Sequence, residues 1–214
     1  QIILPLVRGR GQMRWSKSRV LVIGCGGLGC PLAMGLAGAG VGHLDLVDPD
    51  HVALSNLHRQ IAFAEDDIGC LKAEVLAQRL KRSAPIKVEP HALRADPHNL
   101  PALMQSVDLV IDGSDNFGTR FAVADACVKA KKPLISGAVS GHSGQLFAQP
   151  ATGQPCYRCL FEEAPAESGG CDADGVLPGA TLTVAGMMVQ WSLLALLEHE
   201  ELPRGILMQG NLIS

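Results

Sequence analysis

Charge is scarce in this chain: 18% of its 214 residues are Asp, Glu, Lys or Arg, and they leave a formal net charge of −3. Without a basic surplus there is no electrostatic footprint for a phosphate backbone, so no nucleic-acid partner is expected. Long apolar runs are also missing. None approaches the ~20 uninterrupted residues of a membrane-spanning helix, and no membrane association is expected. The opening stretch, QIILPLVRGRGQMRW, is apolar for only a few residues and has no basic lead-in, so it does not read as an export signal. In that setting the seven cysteines read as reduced thiols of a cytoplasmic protein. No internal repeat and no linker divides the sequence. One domain over 1–214 is expected, long enough to bury most of its apolar surface. The sequence stops directly after a strand-like segment, and the natural protein is expected to run further.

What is present is a chain 47% apolar with 24 glycines, a mixture that suits tightly packed strands and helices joined by short turns. Arg19 to Ile23 (RVLVI) reads as a buried parallel strand, followed by a glycine loop and a small-residue helix reaching Gly40. His43 to Val47, Ile86 to His91, Asp108 to Ile111 and Pro133 to Ser136 read as further strands. Lys72 to Arg82 and Phe117 to Lys131 read as helices between them. This alternation predicts an α/β fold with a doubly wound, mostly parallel, Rossmann-like sheet. Gln145 to Ala148 and Gly205 to Gln209 predict added antiparallel strands, and Gln154 to Pro178, rich in Pro, Gly and Cys, predicts a crossover loop. The segment Thr181 to Leu197 predicts a helix apolar nearly all round, to be buried either in a homodimer or within one subunit.

Gly24, Gly26 and Gly29 make G-x-G-x-x-G between a strand and a helix, where bare backbone can approach a phosphate and the helix N-terminus supplies oriented N–H groups. Asp48, at the end of the second strand, is placed to accept hydrogen bonds from ribose hydroxyls. The motif alone does not separate NAD from ATP, and the glycines also have a bland use in close helix–strand packing. Further residues favour ATP. Asp50, Asn56, Arg59 and Gln60 follow the second strand, Lys72 opens a helix, and Asp112, Asp115 and Asn116 follow the fourth strand. Strand C-terminal ends lie on one edge of such a sheet, so these groups can converge. Attack of a carboxylate on an α-phosphate builds negative charge that Arg and Lys stabilise and Asp-bound Mg²⁺ offsets. Singly, Arg59 and Lys72 also read as surface charges, and Asp115 as a helix N-cap.

GCGGLG, DPD, SNLHRQ, the lysine of GCLKAE, DGSDN, ISGAVSGHSGQ and PCYRCL occur in the order and spacing of bacterial MoeB and ThiF. The chain thus resembles the MoeB/ThiF/HesA family, relatives of the ubiquitin-activating enzymes, over essentially its whole length. That resemblance implies adenylation of the C-terminal Gly-Gly carboxylate of a small ubiquitin-like sulfur-carrier protein, with release of pyrophosphate, in molybdopterin or thiamine biosynthesis. It implies that Gly24, Gly26 and Gly27 hold the phosphates and Asp48 the ribose, with Asp50 close by. Ser55, Asn56 and Arg59 would meet the triphosphate, Lys72 a phosphate, and Asp115, beside Asn116, a Mg²⁺ ion. A homodimer is implied as well. Two departures stand out: the family's Arg just ahead of the QIIL stretch is not in this sequence, and its second C-x-x-C lies beyond Ser214.

Cys156 and Cys159 have the C-x-x-C spacing at which two thiolates grip one Zn²⁺, half of a four-ligand site. A redox dithiol is the competing reading, though the strand-to-helix context of that motif is missing. Cys171, in SGGCDADG, falls where relatives carry a crossover-loop cysteine that in some forms a covalent intermediate; an idle loop thiol is the alternative. Cys25, Cys30, Cys70 and Cys127 read as buried filler. Two rival functions stay open: an NAD-dependent oxidoreductase, resting on the glycine loop and Asp48, and a non-catalytic scaffold of the same fold. Arg59, Lys72 and Asp115 together argue against the scaffold.

Overall fold

The computed structural model describes residues 1–161, 175–198, 202, 205 and 207–212. All the described strands join one sheet, ordered β3-β2-β1-β4-β5-β6-β7. Strands β1 (Arg19–Ile23), β2 (His43–Val47), β3 (Lys87–His91), β4 (Leu109–Asp112) and β5 (Leu134–Ser140) run parallel. β6 (Ser143–Gln149) and β7 (Leu207–Asn211) run antiparallel to their neighbours, as expected from the sequence. The chain winds from β1 outwards to β2 and β3, then returns to the other side of β1 with β4. That reversal opens a crevice above the C-terminal ends of β1 and β4.

Alternate side chains of the parallel strands feed two cores. Val20, Val22, Leu44 and Leu46 meet the helices α2 (Gly29–Ala39), α3 (Lys72–Ser83) and the last long helix on one face. Leu21, Ile23, Val47 and Val110 meet α4 (Leu100–Leu103) and α5 (Phe117–Ala130) on the other. The β-branched and leucine content of strands buried on both faces follows from that double cover.

Several elements differ from the sequence reading. Helix α1 (Arg8–Lys17) lacks an apolar stripe, but its buried Trp15 donates its indole N–H to the Leu193 carbonyl at 3.0 Å. Tertiary contact, more than propensity, makes this helix. β5 and β6 extend beyond the four-residue segments expected, because they pair through seven residues each. Gly137 and Gly144, which look like strand ends, lie inside them; a Cβ on Gly144 would stand 2.6 Å from Val184. Short α6 (Tyr157–Leu160) interrupts the segment read as loop.

The final helix, α7 (Pro178–Leu197), settles against α2, β5, β6 and α1. Its 20 residues, whose most apolar stretch has a mean hydropathy of 1.6, reach the length and apolarity of a membrane span, which corrects the reading that no such segment exists. Ala180, Val184, Ala185, Met188 and Trp191 are buried in the core, so the fold itself uses much of that apolarity. Gly35 of α2 permits the close approach, since a Cβ there would lie 2.7 Å from Val189. The single-subunit alternative for covering this helix accounts for its buried side; Leu182, 41% exposed, remains on the other.

Candidate active site

The loop after β1 packs closely against backbone. Gly24 has φ +89°, a conformation that suits glycine, and a Cβ there would stand 3.0 Å from the Gly113 carbonyl oxygen after β4. A Cβ on Gly29 would overlap the Gly24 carbonyl oxygen and lie 2.8 Å from its carbon. Chain packing thus demands these two glycines. Gly26 and Gly27 differ. Neither has a positive φ, and a Cβ on them would meet only side chains, at 3.6 Å from Gln60 Nε2 and 3.3 Å from Thr181. Both line a cleft of about 910 Å³, counting its open mouth. The bland account of the glycines therefore covers half of them, and the other half leaves bare backbone facing an open cavity.

Asp48 is 5% exposed and lies on the cleft wall. Its Oδ2 accepts the Cys25 N–H at 2.6 Å and its Oδ1 accepts the Asp50 N–H at 2.8 Å. Burial pushes its pKa up, against those two donors and nearby Lys72. A carboxylate offers about four acceptor positions, so two remain for a ligand.

The cations are not surface charges. Arg59 is 8% exposed and Lys72 is 5% exposed, and both border the cleft. Lys72 Nζ pairs with Asp50 Oδ2 at 3.2 Å, and its backbone N–H donates to the Asp50 carbonyl at 3.0 Å. Arg59 Nη1 donates to the Ser55 carbonyl at 3.3 Å. These two, with Asp50, Asn56, Gln60 and Asp115, line a polar annex that continues the cleft. Ser55 is exposed and not on the lining; the structure brings its carbonyl, not its hydroxyl, to the site by holding Arg59.

Asp115 is exposed and borders both the cleft and the annex. It is not the cap of α5. Asn116 fills that role, its Oδ1 accepting the Thr119 N–H at 2.8 Å. Asp112, fully buried with its pKa pushed up by that burial, accepts the Ser114 N–H at 3.0 Å and the Ser136 hydroxyl at 3.3 Å. The sequence reading missed Arg94, Arg120 and Thr181, which also line the cleft. For Arg120 one signal existed: it is the single arginine of α5, an apolar, small-residue helix, and it is 7% exposed. The opposite wall is apolar, from Val47, Leu93 and Ala95.

Away from the cleft, Cys156 Sγ and Cys159 Sγ stand 3.4 Å apart, both free. Two thiolates on a tetrahedral zinc, each at ~2.3 Å, stand about 3.8 Å apart, somewhat wider than this pair. No group of three metal-ligating side chains occurs among the described residues. Cys171 lies outside the described residues. Cys70 is exposed, not buried filler, whereas Cys25, Cys30 and Cys127 are buried.

The sequence profile of the ThiF family matches residues 1–213. The chain belongs to the ThiF family. This ThiF-family chain is 38% identical over 211 residues to the adenylyltransferase and sulfurtransferase MOCS3 of Anopheles gambiae, covering 97% of the chain and 48% of that protein. The MOCS3 of Bos taurus is 44% identical over 190 residues, 88% of the chain and 42% of the relative. The chain thus spans a little under half the length of these curated relatives. Among solved structures, E. coli MccB with ATP superposes with a TM-score of 0.80 at 23% identity, over 94% of the chain and 66% of MccB. PaaA superposes at 0.73 and 18% identity, over the same shares. At such identities the likeness establishes the ThiF-type fold.

Proposed function

We propose that this domain binds ATP with Mg²⁺ and adenylates the C-terminal carboxylate of a small ubiquitin-like sulfur-carrier protein ending in Gly-Gly. The observation that carries the reading is the burial of Arg59 and Lys72 beside the open cradle of Gly26 and Gly27. Burying two cations in one cleft is costly unless anions meet them. Asp50 pairs with Lys72 at the mouth of the annex. A triphosphate there would set anionic oxygens beside both cations. The apolar wall of Val47, Leu93 and Ala95 suits a base, and the spare acceptors of Asp48 suit ribose hydroxyls.

In the reaction, a carboxylate oxygen of the carrier bonds to the α-phosphorus and the bond to the β-phosphate bridging oxygen breaks, releasing pyrophosphate. Arg59 and Lys72 oppose the charge that gathers on the phosphate oxygens, each such group contributing about 3–4 kcal/mol to barrier lowering. Asp115, an exposed carboxylate at the junction of cleft and annex, suits a Mg²⁺ ion, which would neutralise phosphate charge. The names of the MOCS3 relatives, and the ATP bound by MccB, support the nucleotide and the adenylyl transfer. Molybdopterin or thiamine biosynthesis is the pathway the reading implies. Cys156 and Cys159 supply half of a Zn²⁺ site, its remaining ligands lying outside the described residues. Homodimerisation would cover Leu182 and the rest of the outer side of α7. A cytoplasmic setting fits the free thiols.

Calorimetric titration separates this reading from the dinucleotide rival. ATP with Mg²⁺ is expected to bind and NAD not to; tighter binding of NAD than of ATP overturns the proposal.

A further inference from the structure

Asp115 presents a contradiction that its surroundings resolve. It is exposed, yet both its neighbours are tied down. On one side, the Ser114 N–H donates to Asp112 Oδ1 at 3.0 Å, while the Ser114 carbonyl accepts from Arg120 twice, from Nε at 3.1 Å and Nη2 at 2.8 Å. On the other side, Asn116 is fixed as the α5 cap by the Thr119 N–H. Arg120 is 7% exposed, and its guanidinium also lies 5.4 Å from the Phe117 ring centre. α5 is already capped without Arg120; its guanidinium is buried near the Asp112 carboxylate and the Tyr157 hydroxyl, and the carbonyl on which it closes its fork is that of Ser114.

The hold continues beyond Arg120. The next residue, Phe121, meets the ring of buried Tyr157 edge-on at 5.2 Å, and Arg158 lies over the same Phe121 ring at 4.9 Å. Arg158 also grips Asp125, one turn further along α5, with Nε and Nη2 both at 2.8 Å from the carboxylate oxygens. Gln149 closes the corner, accepting the Tyr157 N–H at 3.2 Å and donating to the Ala124 carbonyl at 3.3 Å. Tyr157 and Arg158 are the two residues between Cys156 and Cys159. The C-x-x-C segment therefore clasps the helix whose first turns carry Arg120 and Asn116.

We propose that Arg120 is a positioning residue that fixes Asp115 through the Ser114 carbonyl, and that the Tyr157–Arg158 pair of the C-x-x-C segment braces the same helix from behind. This rests on the reading of Asp115 as the Mg²⁺ anchor. A carboxylate that must reach a metal at a set distance gains from fixed neighbours, while its own oxygens stay open to the ligand. Arg120 lines the cleft and commits two of its five N–H donors to Ser114; a role through Asp115 is told from a direct nucleotide contact by metal-free ATP binding.

Arg120→Lys keeps the charge and loses the planar fork, and Arg158→Ala removes the brace. Hydrogen exchange of the backbone amides over 113–116, read by mass spectrometry, reports the hold itself and needs no ligand. The Mg²⁺ concentration for half-maximal pyrophosphate exchange reports its consequence. In Arg120→Lys, amides over 113–116 are expected to exchange faster while those of β2 are unchanged. The half-maximal Mg²⁺ concentration should rise by roughly tenfold, as for other partners of metal-ligating groups. Metal-free ATP binding should stay put. Arg158→Ala is expected to move both readouts the same way by less. Unchanged exchange over 113–116 in Arg120→Lys overturns the proposal. Loss of metal-free ATP binding overturns it too, by making Arg120 a direct nucleotide contact. Faster amide exchange with an unaltered Mg²⁺ requirement overturns the route through Asp115. If the unsubstituted protein shows no Mg²⁺-dependent exchange of pyrophosphate, the functional reading fails, and the amide data alone then decide whether Arg120 holds the loop.

Discussion

Gly27 and Gly29, two positions apart in the glycine loop, should fail in opposite ways when substituted. In Gly29→Ala, the new methyl overlaps the Gly24 carbonyl oxygen and stands 2.8 Å from its carbon, with backbone on both sides of the clash. Neither can yield without moving β1 or α2. An overpacking cost at the top of the usual range, about 3 kcal/mol, is expected. At about 2–4 °C per kcal/mol for a domain of this size, Tm falls by about 6–12 °C. In Gly27→Ala, the methyl meets Thr181 Cγ2 at 3.3 Å and Arg59 Cγ at 3.5 Å, side-chain atoms with room to give, at a φ outside the left-handed region. Reduced freedom of the unfolded chain returns roughly 0.4–1 kcal/mol, so Tm should stay within about 2–4 °C of the unsubstituted protein. That methyl nevertheless occupies the cradle where a phosphate should lie. Displacing the phosphate by about 1 Å should cost about a hundredfold in turnover. Circular-dichroism melts and pyrophosphate-exchange rates below both transitions measure the two effects. A Gly29→Ala protein that melts with the unsubstituted one, or a folded Gly27→Ala protein that turns over as before, refutes the division of labour within the loop.

Arg59→Ala and Asp115→Ala should each slow adenylation by roughly a hundred- to a thousandfold, read by pyrophosphate release. Arg59→Ala should also shift Tm slightly, since Arg59 is buried, whereas exposed Asp115→Ala should not. Asp45 gives a pH signature. Burial alone would raise its pKa, but hydrogen bonds from Arg19 and His91 outweigh that and hold it below the usual carboxylate range. Its stabilising contribution is therefore present above the unfolded value of about 3.9 and lost as pH falls through the folded value. Asp45→Asn should lower Tm at neutral pH, with the difference vanishing in acid; a pH-independent difference contradicts this. Replacing Cys156 and Cys159 together by Ser should abolish bound zinc in metal analysis of the purified protein, and undiminished zinc would place the ion elsewhere.

The parallel strands, the glycine loop and Asp48 were legible because each is written locally, as a β-branched run, a motif and a strand end. Helix α1 was not, since Arg, Gly and Gln dominate it and its order comes from Trp15 reaching Leu193, far along the chain. The lengths of β5 and β6 were hidden by Gly137 and Gly144, whose meaning depends on α7 pressing down on them. For Arg59 and Lys72 the sequence offered surface charge and buried ligand equally; only the fold could turn both inward. The bland reading of Asp115 as the cap of α5 fails, because the hydrogen bond from Thr119 gives that role to Asn116 and frees Asp115. Arg120 and the C-x-x-C clasp on α5 are long-range arrangements with no motif of their own.

The central claim is that the cations beside the glycine cradle serve adenylation of a protein carboxylate. Exchange of radiolabelled pyrophosphate into ATP tests it most directly, with Mg²⁺ and a ubiquitin-fold carrier ending in Gly-Gly, using the full-length protein. The account predicts exchange that requires the carrier, stops when its terminal glycine is removed, and falls sharply in Arg59→Ala. No exchange with any such carrier, from protein that binds ATP and Mg²⁺, contradicts it.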